Sequence, residues 1–250
     1  MRMFLRPRWL ITHVIVVALV ALFVNLGFWQ LRRLDERRDE IALITRNLAA
    51  PVQPLDVVLE QFGNDPKGIA NRRVTVSGTY RPADEVMLTP RANGRVAGHH
   101  VLTPLVLENG QAVLVDRGWV PFAQDDPPIA LAAPEPGRTS VTGILQPTQD
   151  ATRFGSATGG DRLTYVSTAD VDLIQPQVDV PLYPFSVMLQ RQDPRPGELP
   201  VPGKPPEVTE GSHQSYAWQW FSFATILAGG YPLLLRRSLA SAQAKVLGDQ

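Results

Sequence analysis

His213 is the residue in this chain best placed to do chemistry. It stands three residues before an uncharged apolar stretch, Tyr216 to Leu235. In a helix it shares a face with Tyr216, Ala217, Trp220 and Ala224. That face offers an imidazole at a membrane interface with flat aromatic and small side chains beside it. A porphyrin uses this combination, an axial nitrogen and apolar planes. An interfacial histidine inside an aromatic belt shows the same pattern, so two readings stand side by side. His99 and His100 are neighbours in a predicted strand, where adjacent side chains point to opposite faces, so they do not share a metal. His13 sits one turn inside the far end of the first apolar stretch. Most of a membrane thickness separates it from His213, and the two do not ligate one iron.

Asp116-Arg117-Gly118-Trp119 places Asp116 and Gly118 on one face of a strand and Arg117 and Trp119 on the other. This reads as a charged strand end rather than a catalytic aspartate. Arg117 and Trp119 are structural or partner-facing candidates, Arg117 through an acidic partner that fixes the domain against the membrane. The 250 residues include no cysteine, which excludes disulfides, thiolate metal sites and redox CxxC chemistry. G-x-S-x-G, P-loop and H-E-x-x-H motifs are absent, and no carboxylate pair stands out. Gly155 to Gly160 lacks the lysine of a phosphate loop and reads as a plain loop. The expectation is a protein that is not an enzyme.

Two apolar segments position His213. Leu10 to Trp29 is uncharged apart from His13 and is long enough, at about 1.5 Å per residue, to cross a hydrocarbon core of roughly 30 Å. Trp9 and Trp29 mark its ends. The second segment is Tyr216 to Leu235, ended by Arg236 and Arg237; Gly229, Gly230 and Pro232 suit a membrane helix better than a soluble one. The expected order is a cytoplasmic N-terminus (1–9), transmembrane helix 1 (10–30), a helical extension (31–50), a β-rich domain (51–211), transmembrane helix 2 (215–235) and a cytoplasmic tail (236–250). Orientation rests on Arg236, Arg237 and Lys245 after the second segment, because Arg32, Arg33, Arg37 and Arg38 offset the arginines before the first. Both termini are then cytoplasmic and the middle extracytoplasmic, in a multi-pass protein of the cell or inner membrane. Asn25, Gln30 and Gln219 are polar within or near the spans and are expected to face another helix. Ala18, Ala21 and Asn25 are expected to approach Ala217, Ala224 and Ala228.

Residues 47–211 hold 13 Lys/Arg against 19 Asp/Glu, while residues 1–46 hold eight Arg against four acids. An acidic middle between basic ends argues against nucleic-acid binding and fits contact with anionic membrane lipid. Leu31, Leu34, Ile41 and Leu48 continue the first helix, with Arg33 and Arg37, and Glu36 and Glu40, spaced i, i+4; Pro51 ends it. Alternating or β-branched runs predict strands at Arg73–Tyr80, Glu85–Thr89, His99–Leu107, Ala112–Val120, Ser140–Leu145, Leu163–Ser167 and Phe185–Leu189. Asn109-Gly110 predicts a hairpin with both residues suited to positive φ. Short helices are expected at Asp56–Phe62 and Thr168–Ile174, and Pro-rich loops at 121–137 and 193–206, the latter a stiff strap. The fold class is therefore a membrane protein with two transmembrane helices bracketing a mainly-β domain, an antiparallel barrel or sandwich.

Four blocks in order carry a family resemblance: Leu26-Gly-Phe-Trp-Gln-Leu-Arg-Arg33; Arg72-Arg-Val-Thr-Val-Ser-Gly-Thr-Tyr80; Gly98-His-His-Val-Leu-Thr-Pro-Leu105 followed by Val113-Leu-Val-Asp-Arg-Gly-Trp-Val-Pro121; and His213-Gln-Ser-Tyr-Ala-Trp-Gln-Trp-Phe221. Bracketed by two spans, they resemble the surfeit locus protein 1 family of cytochrome c oxidase assembly factors. The resemblance implies an assembly factor for haem-copper oxidase that assists haem a delivery or insertion into subunit I. Oxidase subunit I and haem a synthase are the implied partners. His213 matches the position implicated in haem binding in some bacterial members, with Tyr216 and Trp220 beside it and Trp29 and Gln30 at the same depth. Gln214 departs from the apolar residue common after that histidine. The other function classes are a membrane-anchored scaffold without haem contact and an envelope enzyme with an unrecognised site.

Overall fold

A computed structural model describes residues 7–150, 157–159, 162–194 and 197–248. The chain forms two compact units, Met1–Leu43 with Val208–Gln250, and Ile44–Glu207.

The first unit is a pair of long helices, α1 (Pro7–Ala49) and α5 (His213–Gly248). Within α1 an 18-residue window reaches a mean hydropathy of 2.4 with almost none of it buried against protein. Among the described residues α1 is the helix long and apolar enough to cross a membrane by length and composition. α5 mixes Tyr216, Trp218, Gln219, Trp220, Gly229 and Gly230 into its apolar run, which lowers its average. α1 ends two residues before Pro51, as the steric demand of proline on its predecessor predicts. Its polar stretch is tied by Arg33–Glu36 and Arg37–Glu40 ion pairs at i, i+3. The i, i+4 spacing expected for these residues relates only like charges. Being exposed, such pairs contribute about 0.2–0.5 kcal/mol each.

The second unit is β-rich. It contains β1 (Gln53–Pro54), β2 (Arg73–Tyr80), β3 (Val86–Asn93), β4 (Val96–Leu107), β5 (Ala112–Pro121), β6 (Arg138–Pro147), β7 (Ala157–Gly159), β8 (Leu163–Val166) and β9 (Leu182–Asp193), with short helices α2 (Leu55–Phe62), α3 (Pro66–Ile69) and α4 (Val171–Ile174). All seven strands and both short helices expected from the sequence are present, with moved ends. The fold class needs correction: the strands make one nine-stranded mixed sheet, ordered β1-β2-β6-β9-β5-β4-β3-β8-β7, not an antiparallel barrel or sandwich. Three neighbour pairs are parallel, β1–β2, β3–β8 and β5–β9, and the end strands β1 and β7 do not pair with each other. A three-residue pairing of β2 with β4 curls the middle of the sheet over itself. Alternation reports which face a residue takes but not the direction of its neighbour strand, so the parallel pairs left no mark in the pattern.

β2 alternates as expected, with Val74, Val76 and Tyr80 inward. β5 does not, because it lies between β9 and β4 and both its faces are covered. Val113 and Val115 join a cluster with Leu55, Val58 and Ile69 from α2 and α3. Leu114 joins another with Val171 and Ile174 of α4. The β4–β5 hairpin turns at Asn109-Gly110, but only Gly110 has positive φ. Asn109 instead accepts from the Gln111 amide through its side chain, an Asx turn.

Arg117, on β5, is fully buried. Its guanidinium donates to Glu85 Oε2 at 3.3 Å and to the Ala132 carbonyl at 2.5 Å, and lies 5.2 Å from the Tyr80 ring centre. Glu85 also accepts from Thr103 Oγ1 and from the Ile129 amide, both at 2.9 Å. Burial pushes the Glu85 carboxyl up, against these hydrogen bonds, and pushes the Arg117 guanidinium down. Ile129 and Ala132 belong to the Pro-rich stretch 121–137. That stretch therefore closes over the core rather than hanging free as a loop. The other Pro-rich stretch docks through a two-way backbone bridge between Trp119 and Val201. Gly118 permits it: φ is +119°, and a Cβ would lie 2.1 Å from the Val201 carbonyl oxygen.

Removing one member of a buried pair strands the other charge, at a cost of about 3–5 kcal/mol. Arg117→Ala should therefore lower the unfolding free energy of the β unit by that order in urea titrations followed by tryptophan fluorescence. The double variant Arg117→Met, Glu85→Leu should lose clearly less.

Candidate functional site

In the helical unit, α1 turns His13, Val16, Val20, Phe23, Gly27, Gln30 and Leu34 toward its partner. α5 turns His213, Ala217, Trp220, Ala224, Leu227, Tyr231 and Leu235. Steps of three and four residues make each set one stripe. Small residues let the helices close: Gly27, Ala217 and Ala224 are buried, and a Cβ on Gly27 would meet the Phe221 ring at 2.5 Å. Phe23 stacks on Trp220 with ring centres 5.6 Å apart. Small residues where backbones approach are the usual device when lipid removes the hydrophobic drive for association.

Two hydrogen bonds bracket this apolar seam. His213 Nδ1 meets Gln30 Oε1 at 2.9 Å, and the Tyr231 hydroxyl meets His13 Nδ1 at 2.6 Å. Seventeen residues separate Gln30 from His13, about 26 Å along a helix, close to a hydrocarbon thickness. The Gln30 oxygen only accepts, so the proton in this bond is on His213 Nδ1, and Nε2 is the ring nitrogen left outside the bond. Beyond Gln30, Arg37 donates to the Thr209 carbonyl and Arg38 pairs with Glu210 at 3.1 Å. Glu210 raises the Arg38 guanidinium above its ordinary value, chiefly through the hydrogen bond.

Of the expected site residues, His213, Ala217, Trp220 and Ala224 share a face, whereas Tyr216 lies to the side and is half exposed. Gln30 faces α5 as expected. Trp29 points outward beside it. The seam expected through Ala18, Ala21 and Asn25 is wrong: all three, and Ala228, are exposed. On α1, Ala18, Ala21 and Asn25 keep a helical spacing but stand about two residues, some 200°, out of phase with the true stripe. A helix apolar all round carries no signal to fix that phase. Arg117 reaches no surface; its acidic partner is Glu85, inside the β unit. Trp119 is buried there too.

The β unit separates its two neighbouring histidines as alternation requires. His99 is enclosed by Phe122 and Tyr165, with ring centres 4.7 and 5.5 Å away. Its Nδ1 has no partner among the described residues, and burial lowers its pKa. His100 instead bonds Asp116 Oδ2 through Nδ1 at 2.8 Å. No group of three or more His, Cys, Asp or Glu able to hold a metal occurs among the described residues. Of the Gly155–Gly160 loop, Ala157–Gly159 forms β7 and the rest lies outside the described residues.

The SURF1 family model matches residues 17–225. An uncharacterized SURF1-like protein of Mycobacterium tuberculosis is 30% identical over 225 residues, covering 89% of this chain and 81% of its own. A SURF1-like protein of Monosiga brevicollis is 25% identical, covering 85% and 83%. One of Rickettsia felis is 23% identical, covering 92% and 99%. The chain belongs to the SURF1 family.

Two outcomes test this geometry. The chain lacks cysteine, so paired cysteines report cleanly: Gly27→Cys with Phe221→Cys should crosslink under mild oxidation, and Ala21→Cys with Ala224→Cys should not. For His99, a folded-state pKa below the ordinary imidazole value means the unfolded chain binds the proton more readily. Stability of the β unit should therefore fall as pH drops below about 6.5, and His99→Gln should flatten that slope in thermal unfolding.

Proposed function

We propose that this SURF1 family member is a membrane-embedded, non-enzymatic assembly factor for haem-copper cytochrome c oxidase, assisting haem a delivery or insertion into subunit I. Family membership supports the general role. The observation that carries the haem part is the His213–Gln30 bond at 2.9 Å. A histidine serves a metal best when its other ring nitrogen is held by a second group that fixes tautomer and orientation. Gln30 does this for His213, so that Nε2 is the nitrogen that would hold the iron. The donor set fits a haem: an imidazole held by one nitrogen with the other outside that bond, and Tyr216 and Trp29 as exposed aromatic side chains near the same end of the helices. Haem a bound there would supply its iron to Nε2. The chain's own groups orient the imidazole and offer apolar surface.

α5 is read as the second span. Trp218, Ile226, Leu233 and Leu234 are each about 60% exposed or more, an apolar surface that lipid would cover. Arg236 and Arg237 follow it, so both termini are cytoplasmic and the β unit extracytoplasmic. Of the four arginines that vote the other way, three are held in ion pairs: Arg33 with Glu36, Arg37 with Glu40 and Arg38 with Glu210. Oxidase subunit I and haem a synthase are the partners of this reading, reached through the lipid-facing sides of the helices.

The test is haem content after purification from cells that make haem a, read by reduced-minus-oxidised spectra. Wild type should retain haem a, His213→Ala should lose most of it, and Gln30→Leu should retain an intermediate amount. Equal haem in wild type and His213→Ala overturns His213 as ligand. Normal oxidase haem spectra in a deletion strain overturn the assembly role.

A further inference from the structure

A second imidazole in the chain is oriented as His213 is, but in the β unit and in charged company. His100 lies on β4 and Asp116 on β5, diagonal across a register shift between His100 and Leu102. Asp116 is fully engaged: Oδ2 takes the His100 Nδ1 proton at 2.8 Å and Oδ1 accepts the Gly118 amide at 3.1 Å. His100 Nε2 makes no hydrogen bond among the described residues and is not sealed from solvent. The His100 side chain lines two cavities. One, of about 210 Å³, is lined by Arg91, His100, Asp116, Gln146, Ser186 and Met188. The other, of about 230 Å³, is lined by His100, Met188, Trp119, Pro202 and Lys204.

The charges around this imidazole select the ligand. Asp116 is the acid lining these cavities, and its oxygens are already occupied. Arg91 comes from β3 and Lys204 from the strap after β9. β9 itself contributes the uncharged Ser186 and Met188, and the end of β6 contributes Gln146. Arg91 is half-buried and, among the described residues, donates to the backbone carbonyls of Pro90 and Ser167 and to no carboxylate. Burial lowers its pKa and the nearby Asp116 raises it. A cation on the wall of each cavity, Arg91 in the first and Lys204 in the second, disfavours a metal ion and favours an oxyanion, which guanidinium recognises well. Met188 and Pro202 add apolar wall. At about 30 Å³ per water, the first cavity has room for an anion of roughly six heavy atoms.

We infer that this cavity binds a small carboxylate with a short apolar tail, its oxygens on Arg91 and on His100 Nε2–H and its tail against Met188. Asp116 then stabilises the imidazolium that donates to the bound anion. The site does not involve His213 and stands or falls separately from the haem reading.

The test uses the full chain in detergent and equilibrium dialysis with radiolabelled butyrate. Wild type should bind one saturable equivalent, displaced by unlabelled acetate. Arg91→Gln and His100→Asn should each weaken binding at least tenfold, Arg91→Lys should recover part of it, and His213→Ala should bind as wild type. Thermal unfolding of each variant separates lost binding from lost fold. Absence of saturable butyrate binding to wild type, wild-type binding by folded Arg91→Gln, or displacement by inorganic phosphate as effective as by acetate would overturn the proposal.

Discussion

A charged pair buried from the surface sets the terms for the β unit. Arg117 and Glu85 are buried together, and neither survives there on the other's charge alone. Glu85 needs the Thr103 hydroxyl and the Ile129 amide; Arg117 needs the Ala132 carbonyl and the Tyr80 ring. These groups come from β2, the turn that leads into β3, β4, β5 and the Pro-rich stretch after β5, so satisfying one pair fixes five segments. It also fixes register. A slip of one residue would exchange Arg117 for Asp116 in the core. With Arg117 inside, Asp116 must point the other way, where it meets His100. Gly118 must lie where the strap can reach Trp119. The second imidazole site is thus a consequence of how the core charge is housed.

The helical unit obeys the same rule with weaker groups. Gln30, His213, His13 and Tyr231 are polar side chains on apolar helices, and each finds its partner on the opposite helix. Packing between Gly27 and Phe221 brings the helices close enough for those bonds. The bonds in turn choose one rotational setting among many that a uniformly apolar surface would allow. Interhelical hydrogen bonds of this kind are modest, about 0.6 kcal/mol on average in membranes. Their value here is in fixing phase and in fixing the His213 tautomer.

Strand positions were legible because half-buried strands write their burial as alternation, and β2 does so from Arg73 to Tyr80. Strand order was not, since β5, covered on both faces, reads only as an apolar run, and direction leaves no trace in side-chain pattern. The role of Arg117 was half legible: its face was predicted, but Glu85 lies 32 residues away with no local signal linking them. His213 was found from its place before an apolar segment. Gln30 was read as a polar residue that should face a helix at the depth of His213, but not as its hydrogen-bond partner, because a contact 183 residues apart depends on the antiparallel pairing itself. The seam through Gly27 was missed although Gly27 stands in the motif; a glycine on an apolar helix does not say which neighbour needs it.

The residues that carry the family resemblance can be sorted by what the fold has already asked of them. Gly27 and Ala217 are consumed by helix contact, Arg117 by Glu85, and Gly118 and Trp119 by the strap. His99 is closed in by two rings. Packing accounts for each, and none has a polar atom both free and reachable. His213 and His100 differ. Each spends one ring nitrogen on an acceptor that orients it and leaves the other open. A protein that only needed a spacer at these positions would gain nothing from a second nitrogen, and an apolar residue would pack there at lower desolvation cost. Chemistry in this chain is therefore to be sought at those two nitrogens. On the two proposals their surroundings divide the work: the aromatic planes near His213 would take a large flat cofactor, and the cavity beside His100 a small anion.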